Sequence, residues 1–162
     1  MTNLLEKTKN IKLVATDIDG VWTDSRMYVT PEGDWMKAFS TYDGMAVSML
    51  QKKGYIIAIL TSENTDIVKA RAKKLKIDEV YVDEHEKLKR LIYLSKKYEI
   101  SMNQIAYIGD DINDLEALKA VGLSALTANS PIQNKFKPDY VTIRHGGHGA
   151  FREFTDIILQ DQ

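Results

Sequence analysis

Hydrophobic residues fall along this chain in short runs that alternate with longer periodic segments. The runs Lys12–Thr16, Tyr55–Leu60, Glu79–Val82, Ile105–Ile108, Leu123–Leu126 and Tyr140–Ile143 have the length and character of strands. Between them, apolar positions recur at helical spacing. Gly44–Lys53 carries Met45, Met49 and Leu50 and is stopped by Gly54; Thr65–Leu75 carries Ile67, Val68, Ala72 and Leu75; Leu88, Leu91, Ile92, Ser95 and Tyr98 form a third stripe. Asp114 stands where a cap for Leu115–Val121 belongs, Gly122 lies just past its end, and Pro131 suits the first turn of a short helix. Ala150–Leu159 reads as a final amphipathic helix.

Strand–helix alternation predicts an α/β fold, a doubly wound parallel sheet covered on both faces. In such sheets ligands bind at the carboxyl ends of the strands. Asp17, Asp19, Thr61 and Asp110 all fall at such ends. Trp22–Phe39 breaks the alternation: the turn residues Pro31-Glu32-Gly33-Asp34 between two apolar runs predict a β-hairpin insert, too short to be a domain. With no repeat, linker or low-complexity tract, residues 1–162 read as one domain.

Composition narrows the classes. Hydrophobic residues make up 44% of the chain, which excludes disorder, and a net charge of −1 gives no polybasic argument for nucleic acid or membrane. There is no cysteine, so disulfides and thiolate metal sites are excluded, and a reducing, cytoplasmic setting is expected. Met1–Lys7 lacks the apolar core of a signal peptide, and no run approaches the roughly 18 to 20 residues that span a bilayer.

The candidate chemistry begins at Asp17-Ile18-Asp19-Gly20-Val21-Trp22-Thr23-Asp24. Two carboxylates beside a core strand are costly to bury unless a cation or hydrogen bonds offset them, which suggests a metal and phosphate chemistry. Alone, Asp-x-Asp equally describes a solvated acidic turn. Three later segments change that balance: Ile59-Leu60-Thr61-Ser62, then Lys87, then Ile108-Gly109-Asp110-Asp111-Ile112-Asn113-Asp114. Each has an ordinary reading by itself: a helix entry, a surface lysine, an acidic helix start. In this order and spacing they resemble the four motifs of the haloacid dehalogenase superfamily over nearly the whole chain.

The resemblance implies a Rossmann-like sheet and a phosphatase that works through an aspartyl-phosphate on Asp17, with Asp19 as acid and base. It implies Mg²⁺ held by an Asp17 oxygen, the Asp19 backbone carbonyl and Asp110, with Asp111 and Asp114 orienting those groups or Lys87. Thr61, Lys87 and the backbone N–H groups after Asp17 are expected to hold the transferring phosphoryl oxygens, and Gly20 to permit the tight turn. The gaps between motifs leave no room for a cap domain. This narrows the resemblance to the capless branch that dephosphorylates 3-deoxy-2-keto sugar-acid phosphates, the 3-deoxy-D-manno-octulosonate 8-phosphate (KDO 8-phosphate) phosphatase family.

Arg144-His145-Gly146-Gly147-His148-Gly149-Ala150-Phe151-Arg152-Glu153 resembles that branch's glycine-rich tail. It implies a homotetramer assembled on the hairpins, with the tail (about 144–162) closing neighbouring sites and bringing Arg152 to substrate; His145 and His148 touch substrate only if the tail closes. Ser62 and Glu63, with Arg71 and Lys74 on the next helix, resemble the group acting on nonulosonate (sialic-acid-like) 9-phosphates. There Arg71 and Lys74 suit the substrate carboxylate and Glu63 its hydroxyls. Ser62 replaces a frequent Gly, and Val82-Asp83 replaces a common Gln-Gly, so both substrate types stay open. Two other readings compete. A non-catalytic oligomerisation module, like the domain fused to sugar-acid cytidylyltransferases, predicts a degraded site, yet Asp17, Asp19, Thr61, Lys87 and Asp110 are all present. A phospho-acceptor receiver predicts an adjacent acidic pair after the first strand, which this chain lacks.

Overall fold

The structure, a computed structural model, describes residues 2–160. A parallel sheet is built from β1 (Leu13–Thr16), β4 (Ile56–Leu60), β5 (Glu79–Tyr81), β6 (Ile105–Gly109), β7 (Leu123–Leu126) and β8 (Tyr140–Val141). Its six strands run in the order β5-β4-β1-β6-β7-β8. Between β1 and β4 the chain inserts an antiparallel hairpin, β2 (Tyr28–Thr30) and β3 (Gly33–Met36), which forms its own two-stranded sheet. The helices are α1 (Thr2–Asn10), α2 (Thr41–Lys52), α3 (Asp66–Lys74), α4 (Lys87–Lys97), α5 (Leu115–Ala120) and α6 (Ala150–Leu159).

The central strands are buried on both faces, and their side chains alternate between two cores with period two. Val14, Ile57, Ile59, Ala106 and Ile108 meet Val47, Leu50, Val68, Phe151 and Phe154 from α2, α3 and α6. Leu13, Ala15, Ala58, Leu60 and Tyr107 meet Leu91, Leu94, Ala117 and Leu118 from α4 and α5. This is the predicted doubly wound sheet with a hairpin and no cap. β1 lies between β4 and β6, whose connections leave in opposite directions, so the crevice of the fold opens at the carboxyl end of β1.

Three helices end in the same device. The N–H groups of Gly54 and Tyr55 reach back to Gln51 O and Leu50 O, those of Lys76 and Ile77 to Lys73 O and Ala72 O, and those of Glu99 and Ile100 to Lys96 O and Ser95 O. Gly54, Lys76 and Glu99 occupy the left-handed position that this motif requires, with φ of +81°, +56° and +54°.

Four local expectations change. α2 starts at Thr41 rather than Gly44, because the Ser40 hydroxyl accepts from Tyr42 N and adds a turn. The segment after Pro131 is a single hydrogen-bonded turn, with Lys135 and Phe136 N–H on Ile132 O, not a helix. Asp114 makes no side-chain cap for α5; its carboxylate turns inward. Gly122 is needed for a close approach rather than for a left-handed end, since a Cβ there would lie 2.1 Å from Asn103 O. α1 was not expected at all; Leu4 packs on the core, Thr8 is buried, and an ion pair from Lys7 to Asp139 at 2.5 Å holds its far end. Among the described residues no helix is long and apolar enough to cross a membrane.

Candidate active site

The loop after β1 is wound around one carbonyl. Ile18 O accepts the N–H groups of Val21, Trp22 and Thr23 at 3.1, 2.8 and 3.2 Å, and Asp17 N–H donates to Ile108 O at 3.1 Å on the neighbouring strand. Trp22 is fully buried, donates its ring N–H to Thr16 Oγ1 at 3.1 Å and packs on Phe151 with ring centroids 5.1 Å apart. Gly20 has φ +87°, and a Cβ there would lie 1.8 Å from Asp110 Oδ2; only glycine brings this backbone against that carboxylate. The outer side of the loop is covered by Gly146 and Gly147. Gly147 N–H donates to Val21 O at 3.0 Å, and a Cβ on Gly146 would lie 2.0 Å from Gly20 O.

Three acids and one lysine then converge at the ends of β1 and β6. Lys87, the first residue of α4, places Nζ 2.8 Å from Asp17 Oδ2 and 2.6 Å from Asp114 Oδ1, with its side chain 1% exposed. Asp114 takes four donors: Lys87 Nζ, Tyr107 Oη at 2.5 Å, and the N–H groups of Asp110 at 2.9 Å and Asp111 at 3.3 Å. Gly109 leaves the room, since a Cβ there would meet the Asp114 carboxylate at 2.5 Å. Asp17 Oδ1 accepts Ile18 N–H at 2.7 Å, so this N–H orients Asp17 rather than waiting for a phosphoryl oxygen. Asp110 is aimed through its backbone, its carbonyl accepting Ser130 Oγ at 2.5 Å.

Burial lifts Asp17 to about 7, Asp114 adding to the rise and Lys87 opposing it. Asp110 is lifted to about 8 by burial and by repulsion from Asp17, Asp114 and Asp111. Burial pulls the Lys87 ammonium down, but Asp17 and Asp114 outweigh it and leave it raised. One ammonium thus faces carboxylates whose oxygens come within 4.8 Å of one another, Asp17, Asp110 and Asp114. The surplus negative charge fits a hard divalent cation. With Asp114 saturated by donors, Asp17 and Asp110 are the carboxylates that fit as ligands, and Asp114 is the group that holds Lys87 and the Asp110 backbone.

A cavity of about 220 Å³ opens above these groups, lined by Asp17, Asp19, Ser25, Thr61, Ser62, Glu63, Asp110, Asp111 and Asn113. Of the residues expected at substrate, Ser62 and Glu63 are therefore at the cavity. Arg71, Lys74 and Arg152 do not reach the cavity of their own chain. Arg71 packs on Phe39 and donates to Ser40 O at 3.4 Å; Lys74 is exposed; Arg152 Nε donates to Asp156 Oδ1 at 2.8 Å. Gly146 and Gly147 of the tail are packed on the β1 loop of the same chain, and His148 Nδ1 and Gly146 O lie 2.9 Å apart in a hydrogen bond, so these two glycines brace that loop. Asp111 caps the single 3-10 turn Ile112–Asp114 through Ile112 N–H at 2.7 Å.

Sequence reasoning passed over Lys37, whose Nζ lies 2.7 Å from Asp19 Oδ1, and Tyr107, whose hydroxyl holds Asp114. It also passed over Asn113, which donates to Ser62 Oγ at 3.2 Å at the cavity mouth. The one available signal was a tyrosine inside an otherwise aliphatic strand, whose buried hydroxyl needs a partner.

The arrangement offers a pinned carboxylate, a second carboxylate two residues on and a third from β6, all at one polar cavity, with a buried ammonium held behind them. A family model described as haloacid dehalogenase-like hydrolase matches residues 32–122. The 3-deoxy-D-manno-octulosonate 8-phosphate phosphatase KdsC of Haemophilus influenzae is 39% identical over 157 residues, 97% of this chain and 87% of that one. Its counterpart from Escherichia coli K12 is 33% identical over 99% of this chain and 85% of that protein. Among solved structures, the Moraxella catarrhalis enzyme, in complex with magnesium ion, phosphate ion and KDO, superposes with TM-score 0.95 at 38% identity. That match covers 100% of this chain and 93% of that one. The cobalt-bound Haemophilus influenzae phosphatase gives TM-score 0.91 at 39% identity, covering 95% and 90%.

Proposed function

Because the chain belongs to the haloacid dehalogenase-like hydrolases and, within them, to the 3-deoxy-D-manno-octulosonate 8-phosphate phosphatase family, we propose that it is a Mg²⁺-dependent phosphatase of a 3-deoxy-2-keto sugar-acid phosphate. The observation that carries this reading is the buried Asp17–Lys87–Asp114 arrangement beside Asp110, at the carboxyl ends of β1 and β6.

Phosphate monoesters hydrolyse very slowly unaided, and splitting the reaction over a carboxylate lowers the barrier. Asp17 forms a bond to phosphorus as the ester oxygen leaves, and Asp19 gives that oxygen its proton. A water then attacks the aspartyl-phosphate, Asp19 takes the water's proton, and the phosphorus–Asp17 bond breaks to return the free carboxylate and inorganic phosphate. Lys87 orients Asp17 and offsets charge on the phosphoryl oxygens, and Thr61 supplies a hydrogen bond to them. Asp17, Asp110 and the Asp19 carbonyl would hold Mg²⁺, which when bound neutralises the charge gathered between nucleophile and phosphoryl group.

KDO 8-phosphate is the first candidate substrate, supported by what the named relatives act on. Glu63 at the cavity keeps a nonulosonate 9-phosphate as its rival. A homotetramer is part of the same reading. It is supported by apolar side chains that the hairpin exposes, Met27, Val29, Trp35 and Met36, with Trp35 66% exposed. In that assembly Arg71, Lys74 and Arg152 serve a neighbouring subunit's cavity and grip the substrate carboxylate. A cytoplasmic setting is supported by the absence of cysteine.

A phosphate-release panel of KDO 8-phosphate, nonulosonate 9-phosphates and hexose phosphates tests this. One of the sugar-acid phosphates is expected to exceed the hexose phosphates in kcat/KM by at least about tenfold. Chelation should stop release and Mg²⁺ restore it, and Asp17→Asn should be inactive. A folded chain that hydrolyses none of them with Mg²⁺ would favour the oligomerisation module.

A further inference from the structure

Lys37 follows β3, at the point where the hairpin returns toward α2. Its neighbours Trp35 and Met36 are 66% and 41% exposed, yet the Lys37 side chain is 1% exposed. A lysine is rarely hidden this completely unless it is paired. Its Nζ lies 2.7 Å from Asp19 Oδ1 and 3.9 Å from Asp34 Oδ2. The other donor to Asp19 Oδ1 is the neutral Thr23 hydroxyl, at 3.2 Å. Asp19 Oδ2 is buried and has no hydrogen-bond partner among the described residues. The orientation of this carboxylate therefore rests on the two donors to Oδ1, and the shorter, charged one comes from the hairpin. Lys37 is not among the residues lining the cavity, so it reaches the reacting atoms only through Asp19.

We propose that Lys37 is a positioning residue for Asp19: it fixes the proton-transferring carboxylate over the cavity and ties the geometry of the site to the hairpin. This rests on the phosphatase reading above, in which Asp19 protonates the leaving oxygen and later deprotonates the attacking water. Removing the ammonium frees the carboxylate to rotate about its side-chain bonds. Both proton transfers slow, while Asp17, Lys87 and Asp114 stay in place.

An activated aryl ester separates the two steps. Dinitrophenolate leaves without a proton, so phosphorylation of Asp17 by 2,4-dinitrophenyl phosphate does not need Asp19; release of phosphate from Asp17 does. In stopped-flow experiments with Mg²⁺, Lys37→Met should give a burst of about one dinitrophenolate per site at close to the wild-type rate. Steady turnover should then be slower by about 10- to 100-fold, a part of the usual 10²- to 10⁴-fold worth of acid–base catalysis. Turnover of the sugar-acid phosphate, whose leaving oxygen needs its proton, should fall at least as far and show no burst. Steady rates within about threefold of wild type on both esters would overturn the proposal. So would loss of the burst together with turnover, which would place Lys37 in the scaffold of the nucleophile. A wild-type chain that releases neither dinitrophenolate nor phosphate would refute the phosphatase reading instead.

Discussion

Gly146 can disable the site without belonging to it. Its N–H donates to Asn129 Oδ1 at 2.9 Å. A Cβ built there would lie 2.0 Å from Gly20 O, 2.5 Å from Gly20 C and 2.8 Å from Thr23 O. All three are backbone atoms, so no side-chain rotation relieves the clash. Restoring an ordinary carbon–oxygen contact of about 3.3 Å requires the two segments to part by more than 1 Å. Overpacking of this kind costs about 1–3 kcal/mol. The segment that must move carries Asp19 and holds the Gly20 backbone against Asp110, and a displacement of about 1 Å at catalytic groups typically costs about 100-fold in rate. Gly146→Ala should therefore lose about 1–3 kcal/mol in urea unfolding and about 100-fold in kcat on the best substrate of the panel, measured at saturating Mg²⁺. Gly54→Ala is the control: Gly54 has φ +81° with nothing within 4 Å of its Cβ and lies away from the cavity, so it should lose stability through backbone strain alone and keep kcat within about twofold. A Gly146→Ala enzyme with kcat within about threefold of wild type would refute the argument. A rise in KM alone would point to a tail that closes on substrate rather than one that braces the loop.

Two further outcomes concern stability. Asp43 is fully buried on α2, with Oδ1 accepting Arg152 N–H at 2.9 Å and Oδ2 without a hydrogen-bond partner among the described residues, and burial raises its carboxyl from 3.8 to about 6, against the pull of Arg152, Arg144 and Arg71. The folded state thus holds this proton more tightly than the unfolded chain. The contribution is fully present below pH 4 and is lost as pH rises through about 6. The unfolding free energy of wild type minus that of Asp43→Asn should fall by up to roughly 3 kcal/mol between pH 4 and 6.5; a flat difference would contradict the assignment. Glu99 ends α4 in the left-handed conformation with φ +54°, so Glu99→Gly should raise stability by about 1 kcal/mol. An unchanged urea midpoint would count against the strain.

Most of the fold was legible because it is written in local terms. β1 and β4 are apolar runs ending in an acid and a hydroxyl, and α6 spans the very residues Ala150–Leu159 that its stripe outlines. The members of the charge cluster could be named because four motifs in order resemble those of a known family; local periodicity alone leaves Lys87 a surface lysine and Asp114 a helix cap. Their relations were less visible. Asp114 occupies the cap position of α5 in sequence, yet it makes no side-chain cap there: it accepts the Asp111 N–H in the short turn before α5 and turns to Lys87, 27 residues away. Arg71 and Lys74 fall on the helix that follows the second motif, but the pitch of α3 carries them away from the cavity that Ser62 and Glu63 line.

The sequence by itself determined the order of strands and helices, the hairpin insert and the acids, hydroxyl and lysine that meet at the carboxyl ends of β1, β4 and β6. Backbone periodicity and turn residues are properties of neighbouring residues and suffice for the elements, and the resemblance of four ordered motifs to a known family supplied the site residues. Only the tertiary structure decided that Lys37 from the hairpin holds Asp19, that Tyr107 completes the shell of Asp114, and that Gly146 and Gly147 brace the loop carrying Asp17 and Asp19. Those contacts join segments far apart in the chain. They depend on which backbones approach closely enough to exclude a Cβ and on which buried charges must find a partner, and both are set only when the layers pack.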